Sequence, residues 1–188
     1  MKKRVFFFVL FLCFASFGFL EAEEPVLYLT SKEDVSLKFI EKVKKESQCI
    51  RMASHRLSDP AVVQALMEAH QRKVSVELIV DSTSLTKNTP LKRLLEEGVP
   101  VFVWQTEKLP KKKSEAPRRL RHAFCVFGAD QCWIGSYSFS LKRRFRPFES
   151  VLLLQDEKIA KELLMEFEEI KKEYTISLFS YLKQREVS

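Results

Sequence analysis

Between Lys108 and Arg146 the chain carries eleven lysines and arginines against two acids, Glu115 and Asp130, a local charge of +9. Lys111, Lys112, Lys113, Arg118 and Arg119 crowd one end of this stretch, and Arg143 and Arg144 crowd the other. Between them lie Arg121, His122, a Gly135-Ser136 pair and Ser138, with Glu149 just beyond. Guanidinium forks match the oxygens of phosphate, hydroxyls add neutral donors, and an imidazole is the side chain whose charge changes near neutral pH. Together these types read as a funnel and a seat for anions. Lys111, Lys112 and Lys113 alone would equally suit a solubilising surface. Basic residues on both sides of the polar cluster favour the anion-binding reading.

The cluster needs a scaffold, and the local pattern supplies one. Phe124 to Phe127 is an apolar run, Gly128-Ala129-Asp130-Gln131 has turn chemistry, and Cys132 to Tyr137 is a second apolar run, which predicts a β-hairpin. Upstream, Val26 to Leu29 suits a short strand. Ser31 offers a cap with Asp34 three residues on, ahead of helical spacing at Val35, Phe39, Ile40 and Val43, so a helix is expected over about residues 33–46. Cys49 to Ser54 reads as a buried strand, and Ser58-Asp59-Pro60 opens a second helix ended by Arg72 and Lys73. Val74 to Asp81 suits an interior strand, Leu91 to Glu97 a short helix closed by Gly98, and Val99 to Trp104 another strand. Beyond the hairpin come a strand from Glu149 to Gln155 and an amphipathic helix through Ile159, Leu163, Leu164, Phe167 and Ile170. Alternating strands and helices with short connections predict an α/β/α sandwich around a mixed, largely parallel sheet.

The hairpin segment resembles the phospholipase D superfamily, whose motif is His-x-Lys, four residues, Asp, six residues, Gly-Ser. Counted back from Gly135-Ser136, the Asp position falls on Gly128, the Lys position on Ala123 and the His position on Arg121, without a gap. Phe124-Cys125-Val126-Phe127 and Trp133-Ile134-Gly135-Ser136-Tyr137 are similar to the family's filler, and the strand, Ser-Asp-Pro, helix, strand-ending-in-Asp order resembles its opening half. The resemblance covers about residues 26–172 and implies a phospholipase D-like fold. It also implies a site in which one histidine attacks phosphorus, a second protonates the leaving group and lysines hold the non-bridging oxygens. Single-motif members of the family complete that site across a two-fold dimer.

A phosphodiesterase needs an in-line nucleophile, a proton donor and cations on the equatorial oxygens. Arg121 keeps a cation but stays protonated, Ala123 removes the lysine contact and Gly128 removes the carboxylate. The expected site is therefore a degenerate one, with Arg121, Gly135, Ser136, Ser138 and Glu149 holding phosphate. His122 is the candidate rescue, yet a one-residue offset on a strand turns it to the opposite face. His55 and His70 read as structural or surface residues. The expected function is weak or absent catalysis with binding of phosphate-bearing ligands, phospholipid headgroups or nucleic acid. The alternative is an active phosphodiesterase working through His122, a homodimer or a heterodimer with an intact-motif homologue. Phe145 and Phe148 beside arginines suit stacked bases or a peripheral membrane contact.

Lys2, Lys3 and Arg4 precede an apolar run from Val5 to Phe14 that fades through Ala15, Ser16 and Gly18, which is the pattern of a secretory signal over residues 1–22. Cleavage would leave 29 basic against 24 acidic residues and an exported domain over residues 23–172 with an amphipathic tail at 173–188. A retained anchor is the alternative, although the run is short for a span of about 20 residues. The tail, with Tyr174, Ile176, Leu178, Phe179, Tyr181 and Leu182, would extend the helix, pack on the domain or meet a second subunit. Cys49, Cys125 and Cys132 have no zinc spacing and read as buried small hydrophobes. No cofactor or metal is expected.

Overall fold

The computed structural model describes residues 24–85, 89–105, 119–140 and 148–186. The signal segment and Lys111, Lys112, Lys113, Arg118, Arg143, Arg144 and Phe145 lie outside the described residues. Eight strands form one sheet: β1 Val26–Leu29, β2 Cys49–Ser54, β3 Ser75–Asp81, β4 Val101–Trp104, β5 Phe124–Phe127, β6 Gln131–Gly135, β7 Ser150–Gln155 and β8 Thr175–Ser177. Their spatial order is β1-β7-β6-β5-β2-β3-β4-β8. Among the described residues five α-helices accompany them: α1 Val35–Lys45, α2 Pro60–Gln71, α3 Leu91–Glu96, α4 Glu157–Tyr174 and α5 Leu178–Glu186.

The sheet is mixed, but its balance differs from the expected one. Among the described strands only β2 with β3 and β3 with β4 pair in parallel, and the other five pairings are antiparallel. Helical crossovers force the parallel pairs, whereas the β5–β6 hairpin and its neighbour β7 stack antiparallel onto β2. The tail belongs to the domain. Thr175–Ser177 adds an edge strand to β4, and Leu178 is buried in the core.

Helix starts follow side-chain caps. Asp34, not Ser31, caps α1 by accepting from the Leu37 N–H at 3.2 Å, and Asp59 caps α2 ahead of Pro60. The α2 terminus is tied to α1 by Arg72, whose Nη2 donates to the Val43 and Glu46 carbonyls. Strand alternation then sends Met52, Cys125 and Phe127 into a core shared with α1, α2, α3 and Leu178, and Ala53, Phe124 and Val126 into a second core under α4. This makes the α/β/α sandwich. Cys125 and Cys132 are fully buried, and all three described cysteines are free thiols.

Candidate functional site

The pairing of distant strands creates the site. Ala53 lies opposite Phe124 in the β2–β5 register, so the residues just before β5 run beside those just after β2. Phe124 also lies opposite Ile134, which brings residues 121–123 beside the segment that follows Ile134. Three strand ends therefore open on one cleft of about 250 Å³, lined by His55, Arg119, Arg121, Ala123, Ser136 and Ser138. Its described lining contains two guanidiniums, an imidazole and two hydroxyls, and no carboxylate. Arg119 and Arg121 are exposed at the rim, and Ser138 is 3% exposed.

Each lining segment is held from behind. Asp81, buried at the end of β3, accepts the Leu120 N–H at 2.9 Å, fixing the backbone between the two arginines. His55 sits on a short loop whose carbonyl accepts from Ser84 Oγ at 3.2 Å, while Ser54 Oγ donates to the Arg56 carbonyl at 2.9 Å. The segment around Ser138 is pinned on both sides. The Tyr137 hydroxyl meets Ser36 Oγ at 2.7 Å, Ser36 Oγ donates to the buried Asp59 at 3.2 Å, and the Phe139 carbonyl accepts from the Ser58 and Asp59 N–H groups. Phe139 also packs on Phe39 with ring centroids 4.3 Å apart. Ser138 Oγ itself is buried and makes no hydrogen bond among the described residues.

Burial pushes the His55 imidazole below its ordinary value, and the charges of Arg56 and Arg119 push the same way. Asp81 and the Leu120 backbone oppose the fall. His55 Nδ1 is buried and unpaired among the described residues. By residue type His55 is indistinguishable from a structural or surface histidine, and its place just past the carboxyl end of β2 is the one signal for it. Asp81 likewise announces itself only as a polar residue closing an apolar strand.

The other sequence-derived residues divide. Arg121, Ser136 and Ser138 converge on the cleft as expected. Gly135 and Glu149 are not among its described lining residues. A Cβ on Gly135 would stand 2.8 Å from Val151 Cα and closer still to the Ser150 carbonyl oxygen, so this glycine lets β6 and β7 approach. The Glu149 N–H donates to Thr30 Oγ1 and its carbonyl accepts from the Thr30 N–H, joining β7 to β1. Ser136 Oγ accepts from the Ser150 N–H at 3.2 Å, so its hydroxyl has a structural duty as well. Gly128 lies in the hairpin turn at the far end of β5, with φ +59. His122 faces α4, its Nδ1 3.7 Å from Glu166 and its ring 4.6 Å from that of Phe124.

The fold and this cleft can be set beside known proteins. A family model described as "Cardiolipin synthase, PLD-like domain" matches residues 39–171. The chain belongs to the phospholipase D superfamily. A phospholipase D from Rickettsia prowazekii (strain Madrid E) is 24% identical over 125 residues, 66% of this chain and 57% of that protein, so the chain spans little more than half of its length. Among solved structures, Nuc from Salmonella typhimurium, a phospholipase D family member, is similar with a TM-score of 0.67 at 16% identity, covering 82% of this chain and 98% of that one. NucT from Helicobacter pylori gives 0.71 at 14% identity over 80% and 97%. At these identities the structures establish the phospholipase D fold of the domain. Of the three positions counted back from Gly135-Ser136, Arg121 and Ala123 line the cleft and Gly128 is not among its described lining residues.

Proposed function

We propose that this phospholipase D-like domain binds phosphate-bearing ligands in the cleft and turns over phosphodiesters weakly or not at all. One observation carries the reading. The two motif positions that reach the cleft present a guanidinium at Arg121 and a methyl at Ala123, where the family resemblance places a nucleophilic histidine and a phosphate-holding lysine. A guanidinium grips phosphate oxygens but does not deprotonate to attack phosphorus. His122, the neighbouring imidazole, points toward Glu166 on α4 rather than into the cleft, which argues against its rescue of catalysis. The ligand class is a phospholipid headgroup or a nucleic acid, gathered by the basic segments that flank the hairpin. Export through residues 1–22 belongs to the same reading.

Turnover tests it. Purified protein incubated with single-stranded DNA, phosphatidylcholine or a chromogenic diester is expected to show no more than trace hydrolysis. Robust hydrolysis abolished by His122→Ala would overturn the proposal and establish an active phosphodiesterase.

A further inference from the structure

The phosphate-binding reading leaves two polar atoms of the cleft unexplained. His55 Nδ1 and Ser138 Oγ are both buried, both belong to lining residues, and neither has a hydrogen-bond partner among the described residues. Buried polar atoms left unpaired destabilise a fold unless something else satisfies them. Two of them beside two guanidiniums describe a seat with more donors and acceptors than one singly charged diester engages. The charged groups that act on His55 are Asp81 from the end of β3, Arg56 on its own loop and Arg119 before β5.

We propose that the cleft takes a phosphate monoester in preference to a diester. Arg119 and Arg121 hold its oxygens, Ser138 turns about χ1 to bring its buried Oγ to another, and the partly exposed His55 ring turns to share the ligand's one ionisable proton. The inference rests on the phosphate-binding reading and names its ligand class. A diester is a monoanion with no proton to share near neutrality. A monoester loses its second proton near pH 6, within the range of an imidazole. A neutral His55 accepts a hydrogen bond from the P–OH of the monoanion, or becomes protonated as the dianion binds. The two descriptions have the same composition and charge, and no bond to phosphorus forms or breaks. Two guanidiniums also match a dianion better than a monoanion.

The sign of the pH dependence separates this seat from a pair of arginines. Above both free pKa values the separate partners carry no shared proton and the complex carries one. Binding then takes up a proton, and affinity falls by up to about tenfold per pH unit. Arginines alone give the opposite slope, because the dianion that forms as pH rises binds them more tightly.

The experiment is calorimetric titration of the full chain, held in a non-ionic detergent, with phenyl phosphate, inorganic phosphate and diphenyl phosphate. It runs from about pH 6 to about pH 8, in two buffers of different ionisation enthalpy. Phenyl phosphate is expected to bind more tightly than diphenyl phosphate, with affinity falling as pH rises and proton uptake revealed by the buffer difference. His55→Gln is expected to remove the proton uptake and reverse the slope. Equal binding of the two esters without proton uptake would overturn this inference and leave phosphate binding standing. No binding of any of the three would overturn both. If His55→Gln fails to fold, imidazole NMR of the unmodified chain decides, since a His55 titration unmoved by phenyl phosphate would overturn the shared proton.

Discussion

Replacing Gly135 with alanine should damage the fold rather than the affinity for phosphate. The new methyl would sit 2.8 Å from Val151 Cα, against ordinary carbon contacts of about 3.5–4.0 Å. The obstacle is backbone, not a side chain that can rotate away, so β6 and β7 must separate. Overpacking of this kind costs about 1–3 kcal/mol. Separation also stretches two hydrogen bonds, from the Ser136 N–H to the Ser150 carbonyl at 3.0 Å and from the Ser150 N–H to Ser136 Oγ at 3.2 Å. At about 1 kcal/mol each, they bring the expected loss to about 3–5 kcal/mol. For a domain of this size each kcal/mol moves Tm by about 2–4 °C, so a fall of about 6–20 °C is expected. Gly98→Ala is the control. Its φ is +77 but no atom lies within 4 Å of the added methyl, leaving left-handed backbone strain of about 1–2 kcal/mol. Thermal unfolding followed by circular dichroism measures both. A Gly135→Ala protein that melts with the wild type, or below it by no more than Gly98→Ala, would refute the close approach of β6 and β7 as the reason for this glycine.

Gly128→Asp, which restores the motif's acid by frame, should lower stability by about 1–2 kcal/mol through its left-handed backbone. A Cβ there also stands 3.8 Å from the Glu46 carboxylate, so denaturant titration showing neutral or improved stability would contradict this account of the turn. Burial raises the Cys132 thiol to about 11 and the Cys125 thiol well above its ordinary value. Deprotonation of either thiol is then rare at mildly alkaline pH, so a thiol reagent there should label both only after unfolding. Rapid labelling of either in the native protein would show that the core around it opens. A reporter active only outside the cytoplasm should work when fused after residues 1–22 and fail without them, and mature protein that still begins at Met1 would identify the segment as an anchor.

What the sequence made legible was local. The Phe124–Phe127 and Gln131–Gly135 strands are consecutive and joined by a Gly-containing turn, so apolar runs and turn chemistry sufficed to expect their hairpin. The Asp59-Pro60 helix start and the apolar faces of α1 and α4 were visible for the same reason. Pairings between distant segments were not. β2 meets β5 across some 70 residues of chain, and that register alone brings His55 to the arginines. Asp81 reaches Leu120 at a separation of 39 residues, and Thr30 reaches Glu149 at 119. β8 is three residues long with no alternation to betray it, so its place beside β4 depends on the core that buries Leu178. The frame of Gly135-Ser136 pointed to Arg121 and Ala123 at the cleft, but side-chain period on a strand says nothing of which glycine is kept for packing.

The central claim is that the cleft arginines bind phosphate specifically rather than through net charge, and a salt titration of polyanion binding tests it most directly. Four proteins are compared on single-stranded DNA and on anionic vesicles: wild type, Arg119→Ala with Arg121→Ala, a triple alanine variant at Lys111, Lys112 and Lys113, and Lys44→Ala with Lys45→Ala at the end of α1 as an equal-charge control for the cleft pair. Each phosphate left without its cation should flatten the slope of log affinity against log salt by up to about one unit. The cleft pair is expected to lose the most affinity per residue, the lysine triple less, and the α1 pair almost none. Equal losses from the cleft and α1 pairs would reduce the interaction to diffuse attraction and contradict the account.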